Sequence, residues 1–282
     1  MPLAPAALLA SAFLHALWNA LLKRERAPQV AVAGVLSWAL MAATVAALAS
    51  ARPAFATSAA LGWGVAAGAF EGLYSVTLAA ALARADYGVI YTVARGGATL
   101  LVWPAAALLL REEVTARGVL GACLVGSGLA LVVVGPGRRP TPRAGLGFAA
   151  ACAASIAGYH LCYDRALGMG AREAPLFAVA LATALPFVFA SLRGRVTAGP
   201  GGLLPGLGGA LRWAFAGLLC TGSFLLFLAG LAASGAAVAL TLRNTSVVFA
   251  QGFAFALGER PTRAQLAGAL LVSAGAALVS GR

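Results

Sequence analysis

Long apolar runs alternate along this chain with short segments that are rich in charge, proline or glycine. A helix needs about 20 mainly apolar residues to cross the ~30 Å hydrocarbon core of a bilayer. Ten runs are close enough to that length to be predicted as spans. They are 3–22, 30–50, 61–83, 88–110, 117–134, 144–163, 174–192, 211–233, 236–257 and 264–280. The pattern therefore predicts an all-α integral membrane protein with ten transmembrane helices.

The segment GPGRRPTPR at 135–143 is the clearest internal boundary, since proline, glycine and arginine interrupt the apolar pattern there. We predict a first five-helix repeat at 1–134, a linker at 135–143 and a second five-helix repeat at 144–282. Segments 108–133 and 255–280 align without gaps. The alignment pairs Glu112 with Glu259, Thr115 with Thr262, Gly121 with Gly268 and Gly128 with Gly275. An odd number of spans per repeat inverts the second copy, which is a plan of secondary transporters.

The aligned residues have a local interpretation in each copy. An acidic residue and a threonine are expected to cap the helix that follows, and the glycines are expected to let that helix pack closely against a neighbour. Glu112 and Glu259 are accordingly interpreted as helix caps and not as functional carboxylates.

Composition supports the membrane assignment. Of the 282 residues 61% are hydrophobic and 10% are charged, whereas a soluble domain has about 25% charged residues. A net charge of +12 is also found in nucleic-acid-binding proteins, but here the basic residues lie mostly in short loops, so no nucleic-acid partner is expected. The loops after spans one, five and seven are the most basic, which predicts that they are cytoplasmic and that both termini are outside.

Two arginines interrupt the apolar spans at similar depth, Arg95 in the fourth and Arg243 in the ninth. A charge at the centre of a membrane helix costs at least ~2.5 kcal/mol on insertion scales and often marks a substrate or ion pathway. A guanidinium matches carboxylate, phosphonate and phosphate groups in a bidentate geometry. The alternative is that each arginine binds a carbonyl or an acidic group at a helix contact. The matching positions favour a shared anion site.

Glu71, in the middle of the third span, has two open interpretations. It is either a structural counter-ion of Arg95 or Arg243, or a proton carrier whose ionisation depends on burial and on an arginine. His15 and His160 occupy comparable helices of the two halves and are further proton-coupling candidates, although a packing role is the alternative for each.

Other polar and aromatic residues of the spans complete the predicted substrate site. Asn19 is expected to bind either substrate or a neighbouring helix, and aromatic side chains are expected to form walls with polar tips. These additional candidates are Trp18, Asn19, Tyr74, Tyr91, Tyr159 and Asn244.

Four segments together resemble a known family: HALWNALLKR (15–24), YTVARGGATLLVWPAAALLLREE (91–113), LRNTSVVFAQ (242–251) and LGERPTRAQLAG (257–268). They resemble the EamA-type branch of the drug/metabolite transporter superfamily over essentially the whole chain, in two copies. The resemblance implies ten spans, two inverted repeats and alternating access without ATP. Thr92 and Asn244 depart from the usual pattern, which has a proline and an acidic residue there.

Taken together, these features predict a secondary active transporter and not an enzyme, since no nucleotide-binding, hydrolase or metal motif is present. The predicted substrate is a small anionic or zwitterionic metabolite such as a carboxylate, amino acid or phosphonate, with proton coupling or exchange. No cofactor is expected. The predicted setting is a bacterial-type cytoplasmic (inner) membrane, with the protein a monomer or weak homodimer. The alternatives are a lipid flippase or membrane-embedded enzyme acting on anionic head groups, or a structural subunit.

Overall fold

The computed structural model describes residues 3–49, 53–110, 115–136, 140–193 and 206–280. In these ranges the chain forms ten helices. They are α1 Leu3–Arg24, α2 Pro28–Leu48, α3 Ser58–Leu82, α4 Tyr87–Leu110, α5 Ala116–Val134, α6 Arg143–Gly168, α7 Glu173–Ser191, α8 Leu207–Asn244, α9 Ser246–Ala256 and α10 Arg263–Ser280. The helical class predicted from hydropathy is confirmed: the chain is a multi-pass membrane protein. Glu112 and part of the predicted linker lie outside the described residues.

Seven of the described helices are long and apolar enough to cross a membrane, namely α1, α2, α3, α5, α6, α7 and residues 207–234 of α8. The helical structure is what the hydrocarbon interior of a membrane requires of the backbone. In hydrocarbon each backbone N–H and C=O must find a partner within the protein, and a helix satisfies them all locally. The number of spans, ten by hydropathy, stays a prediction.

Helix α8 differs from the predicted boundary between two spans at 234–235, because helical hydrogen bonding continues to Asn244. Nevertheless the chain reverses within α8. The Arg243 guanidinium lies 3.9 Å from the centroid of the Phe227 ring, although 16 residues of straight helix would separate the two residues by ~24 Å. Their side chains cannot cover that distance. The segment therefore folds back between Phe227 and Arg243, as two successive spans would.

At Thr245 the backbone hydrogen bonding includes an i to i−3 bond in place of the regular i to i−4 pattern. The Thr245 N–H donates to the Leu242 carbonyl at 3.2 Å, and the Thr245 hydroxyl donates to the same oxygen at 2.6 Å. Such i to i−3 bonds are frequent at helix ends, and here they join the end of α8 to the start of α9. This junction falls one residue after Asn244 and thus beside Arg243.

Most of the larger helix contacts keep their pattern when α1–α5 are exchanged with α6–α10, although the contact of α10 with α8 has no comparable counterpart between α5 and α3 in the described part of the chain. Helix α3 packs against α6 and α7, and its counterpart α8 packs against α1 and α2. Helix α4 packs against α5 and α6, and α9 packs against α10 and α1. Three contacts correspond to themselves under the exchange, α5 with α10, α2 with α7 and α4 with α9.

The contact between α5 and α10 is made by glycines. A Cβ at Gly121 would lie 2.7 Å from the Gly275 carbonyl oxygen, and one at Gly128 would lie 2.6 Å from the Gly268 carbonyl oxygen. The two backbones therefore touch, which only residues without a side chain allow. The predicted close-packing role of these four glycines agrees with this geometry.

Candidate functional site

The side chains singled out from the sequence are all buried, each 6% exposed or less. They come from α1 (His15, Trp18, Asn19), α3 (Glu71, Tyr74), α4 (Tyr91, Arg95), α6 (Tyr159, His160) and α8 (Arg243, Asn244). Five helices thus contribute to one polar region inside an apolar protein. The partners of each group decide what the region can bind, because buried polar groups cost free energy unless they are paired.

Arg243 is held on several sides. One terminal nitrogen, Nη1, donates to the Ser11 hydroxyl at 3.1 Å, and the other, Nη2, lies 3.1 Å from His15 Nδ1. The guanidinium also lies over two rings, 4.7 Å from the centroid of Phe224 and 3.9 Å from that of Phe227. A desolvated cation over an aromatic face gains ~2 kcal/mol. Arg243 is therefore anchored by protein groups in this structure.

The helices that anchor Arg243 are themselves joined by a pair of reciprocal hydrogen bonds. The Ser11 hydroxyl donates to the Ser223 carbonyl at 2.7 Å, and the Ser223 hydroxyl donates to the Ser11 carbonyl at 3.1 Å. Both serines are fully buried. Helices α1 and α8 are thereby aligned at the depth of Arg243.

His15 is the centre of a second group of contacts. Trp18 Nε1 donates to His15 Nδ1 at 3.3 Å, and Asn19 Nδ2 donates to the His15 backbone carbonyl at 2.7 Å. The Tyr74 hydroxyl lies 3.5 Å from His15 Nε2. Trp18 thus orients the His15 imidazole, and Asn19 binds the backbone of α1 one turn earlier. Asn19 Oδ1 has no partner within the described part of the chain, so its acceptor remains open for a ligand.

Arg95 has a different environment. Among the described residues its Nε and Nη2 atoms and the hydroxyls of Tyr91 and Tyr159 form no hydrogen bond of good geometry, although the Tyr91 hydroxyl lies near enough to the guanidinium to act as a weak acceptor. These two tyrosines and Tyr74 lie within electrostatic range of the guanidinium. A buried guanidinium with two unpaired donors is costly in the absence of a ligand. The Arg95 guanidinium and the two tyrosine hydroxyls are therefore the groups of the site that most need a hydrogen-bond acceptor from a ligand.

Glu71 contacts a residue that the sequence analysis did not single out. The Tyr163 hydroxyl donates to Glu71 Oε1 at 3.3 Å. Within the described ranges neither Arg95 nor Arg243 forms an ion pair with Glu71 at 4 Å or less, although both interact with it electrostatically. The structure thus gives Glu71 no direct contact with an arginine, and its role as counter-ion or proton carrier stays open.

Asn244 and His160 make their contacts with residues next to the two arginines and not with the guanidinium groups themselves. Asn244 Nδ2 donates to the Thr99 hydroxyl at 2.9 Å, which joins α8 to α4. His160 packs against the rings of Tyr159 and Phe227 at centroid distances of 4.6 and 5.2 Å. Neither ring nitrogen of His160 has a hydrogen-bond partner in the part of the chain that the structure describes.

Glu259 is expected from the sequence to cap α10 together with Thr262, but its carboxylate caps a different helix. Thr262 and Gln265 cap α10 by exchanging side-chain and backbone bonds at 3.2 and 2.7 Å. The Glu259 carboxylate instead accepts the N–H groups of Tyr87 and Gly88, the first two residues of α4. Glu259 does cap a helix, but one more than 170 residues away. Burial raises the pKa of Glu259, and the two backbone N–H bonds oppose that shift.

A cavity of about 760 Å³ lies at this end of the molecule, lined by Lys23, Arg24, Asp86, residues 256–260, Thr262 and Gln265. Lys23 Nζ donates to the carbonyls of Leu82 and Ala85 at 2.8 and 2.7 Å, which satisfies the end of α3. Glu259 and Lys23 thus tie the α3–α4 connection to α1 and to the α9–α10 loop.

Residues that the sequence analysis missed are Ser11, Tyr163, Phe224 and Phe227. Helical spacing offered a signal for two of them, because Ser11 is four residues before His15 and Tyr163 is four residues after Tyr159, so that each lies on the same helix face as a predicted site residue. Phe224 and Phe227 had no such signal, since their approach to Arg243 depends on the reversal of α8. No group of three or more histidine, cysteine, aspartate or glutamate side chains with metal-binding geometry occurs among the described residues.

Comparison with known proteins bears on the family and on the fold. Residues 143–281 match the sequence model of the EamA-like transporter family. No curated protein matches the chain. A solved structure described only as "Crystal structure of protein" has a TM-score of 0.67 and 18% identity, over 98% of this chain and 94% of that chain. At this identity the likeness concerns the fold alone.

Proposed function

Since the chain belongs to the EamA-like transporter family through its domain at 143–281, a domain of the drug/metabolite transporter superfamily, we propose that it is a secondary active transporter of a small anionic or zwitterionic metabolite. The observation that carries the anion assignment is that two donor atoms of the buried Arg95 guanidinium, Nε and Nη2, have no hydrogen-bond partner among the described residues and lie near the hydroxyls of Tyr91 and Tyr159.

The charge balance of the buried region supports an anion. It contains Arg95 and Arg243 as cations and Glu71 as the acidic group. With neutral histidines and an ionised Glu71, one positive charge has no internal counterpart, and an unpaired charge in a medium of low dielectric costs several kcal/mol. A substrate with one negative charge restores the balance, whereas an organic cation adds to the excess.

The geometry around Arg95 supports a carboxylate, amino acid or phosphonate. Two donors of one guanidinium can form parallel hydrogen bonds to two oxygens of such a group. The hydroxyls of Tyr91 and Tyr159 can donate to the same oxygens, and the Tyr74 ring, which packs on Tyr159 at a centroid distance of 5.6 Å, can contact the apolar part of the substrate. Trp18 and Asn19 act mainly through His15.

We further propose ten spans arranged as two inverted five-helix repeats in a bacterial-type cytoplasmic membrane, with alternating access between them. The exchange symmetry of the helix contacts supports the repeat, and the reversal within α8 supports two spans in that segment. In such transporters the substrate site lies near the midplane between the repeats. Extending the alignment of 108–133 with 255–280 towards the N-terminus pairs Arg95 with Leu242, the residue before Arg243, which supports a shared depth of the two arginines.

The test is binding of matched organic anions and cations to the purified full chain in nanodiscs, read as a thermal shift and by calorimetry. We expect small carboxylates or phosphonates to bind and quaternary ammonium compounds of equal size not to bind. Arg95→Lys keeps the charge but loses the planar fork, and a lost charge-assisted hydrogen bond of about 1.5–3 kcal/mol lowers affinity roughly 10- to 100-fold.

Two outcomes would contradict the proposal. One is tighter binding of the cations, and the other is unchanged anion affinity in Arg95→Lys. Stabilisation by anionic lipids alone, with none by soluble anions, would instead indicate a protein that acts on lipid head groups.

A further inference from the structure

Two hydrogen-bond donors converge on one nitrogen of His15. Trp18 Nε1 lies 3.3 Å and Arg243 Nη2 lies 3.1 Å from His15 Nδ1. An indole N–H and a guanidinium can donate but cannot accept. Nδ1 must therefore be the acceptor and carry no proton, so the imidazole is neutral with its proton on Nε2. That Nε2–H faces the Tyr74 hydroxyl at 3.5 Å.

We propose that His15 Nδ1 is the proton site of the transport cycle, and that a proton and the Arg243 guanidinium occupy it in alternation. The inference rests on the proposed function and specifies its coupling ion. A proton on Nδ1 would point directly at the N–H groups of Trp18 and Arg243. Protonation of His15 and its contact with Arg243 therefore exclude each other.

The surroundings of His15 determine when the proton can enter. The polar and charged groups that face it are Asn19 and Trp18 of α1, Tyr74 of α3, Arg95 of α4, His160 of α6 and Arg243 of α8, and the rings of Tyr91 and Phe224 pack against the imidazole. Two of these groups are cations, so an added proton raises an existing excess of positive charge. An anion at Arg95 removes that obstacle, because charges interact strongly at low dielectric.

The exchange needs the Arg243 guanidinium to swing away from Nδ1 and the Trp18 N–H to turn away from it. A bound anion attracts Arg243 Nη2 away from Nδ1, while Nη1 keeps the Ser11 hydroxyl and the rings of Phe224 and Phe227 continue to cover the guanidinium. The freed lone pair of Nδ1 then accepts a proton, and the imidazolium keeps its Nε2–H. The proton comes from a hydronium ion of the aqueous phase, whose O–H bond breaks as the N–H bond forms. The negative charge of the anion offsets the positive charge that the proton adds, so proton uptake after anion binding does not raise the charge of the site above that of the ligand-free state.

The consequence is reciprocal coupling. If an anion favours proton uptake by His15, then a proton on His15 must favour anion binding by the same factor. Anion affinity should therefore rise as the pH falls, and substrate should move together with a proton in the same direction.

The first experiment reports on His15 without any ligand. The chain has two histidines, so ¹⁵N-histidine labelling of the full protein in nanodiscs gives two imidazole signals, and His160→Gln assigns the remaining one to His15. We expect the tautomer with the proton on Nε2 at neutral pH, and a change of that signal in Arg243→Met. An Nδ1–H tautomer or an imidazolium in the ligand-free parent would overturn the inference.

The second experiment counts protons during binding. Calorimetry with lactate and benzoate at pH 7, in buffers of different ionisation enthalpy, should show uptake of about one proton per bound anion in the parent. His15→Gln should bind with no uptake, and His160→Gln should keep it. Binding without uptake in the parent, or uptake that is lost in Glu71→Gln and retained in His15→Gln, would refute a proton on His15.

The two experiments separate the possible failures. If neither anion binds the parent, the assignment of these carboxylates under the proposed function fails, while the tautomer measurement still decides the state of His15. If the anions bind and no proton follows, the proposed function stands and the inference is wrong.

Discussion

The glycine contact between α5 and α10 and the arginine centre both lie between the two halves of the chain, yet they differ in symmetry. At the glycine contact, a Cβ on Gly121 or on its counterpart Gly268 would approach a facing carbonyl to 2.7 or 2.6 Å. At the centre, Arg243 has two hydrogen-bond partners and two aromatic rings and leaves only its Nε unpaired, whereas Arg95 leaves both Nε and Nη2 unpaired in the described part of the chain.

The comparison shows which aligned or nearly aligned residues of the two halves make the same contacts and which do not. Backbone contacts depend only on the absence of side chains, so matching glycines give matching contacts. The arginines depend on what neighbouring helices offer: α1 offers Ser11 and His15 to Arg243, but the groups near Arg95 are tyrosines. We interpret Arg95 as the group that binds substrate and Arg243 as the group that responds to it.

The largest expected effect is that substitution of Arg95 mainly weakens anion binding, whereas substitution of Arg243 mainly lowers folding stability. Arg95→Gln should weaken anion binding by about 2–5 kcal/mol, because one partner of a buried charge pair is lost. Its folding stability should hold or rise, since an unpaired buried charge is removed. Arg243→Gln should lower stability by ~2 kcal/mol or more and weaken anion binding less. Apparent melting temperatures and binding constants of both variants in the same nanodisc measure this, and equal effects would contradict the division of roles.

An intermediate effect is expected at the glycine contact. Alanine at Gly128 or at its counterpart Gly275 would place a Cβ 2.6 Å from a carbonyl oxygen, so each variant should lose about 1–3 kcal/mol and by a similar amount. A Cβ at Gly126 of the same helix α5 would have no neighbouring atom of the described residues within 4 Å, so Gly126→Ala is the matched control and should lose nothing. Apparent melting temperatures of the three variants test this, and a loss in only one of the paired variants would disprove the equivalence.

The smallest effect concerns Glu259, which ties the second half to the start of α4. Burial raises its pKa from the ordinary value of 4.5, so ionisation is less favourable in the folded state than in the unfolded state. The contribution of this group to stability is therefore fully present below the ordinary glutamate pKa and is lost as the pH rises through the raised value. Glu259→Gln should remove that part of the pH dependence of the melting temperature. An identical pH profile in the variant would show that Glu259 does not titrate there.

The helical spans and the buried arginines were predictable because their signals are local. Hydropathy over about 20 residues reports a membrane helix, and a charge inside such a run is conspicuous wherever its partners lie. The glycines at 121, 128, 268 and 275 were likewise visible as a repeated spacing. The prediction of a cap at Glu259 identified the right kind of bond but assigned it to the neighbouring helix, because local reasoning considers only the next turn.

By itself, the sequence determined that the chain is helical and membrane-embedded, since backbone groups in hydrocarbon must be satisfied within each segment. It also determined which polar residues are placed at depth. Only the tertiary structure decided how the two arginines differ, because the anchors of Arg243 come from α1 and from the far side of the reversal in α8. Hydrogen bonds and ring contacts act over a few ångströms, and which groups come that close depends on helices that are distant along the chain.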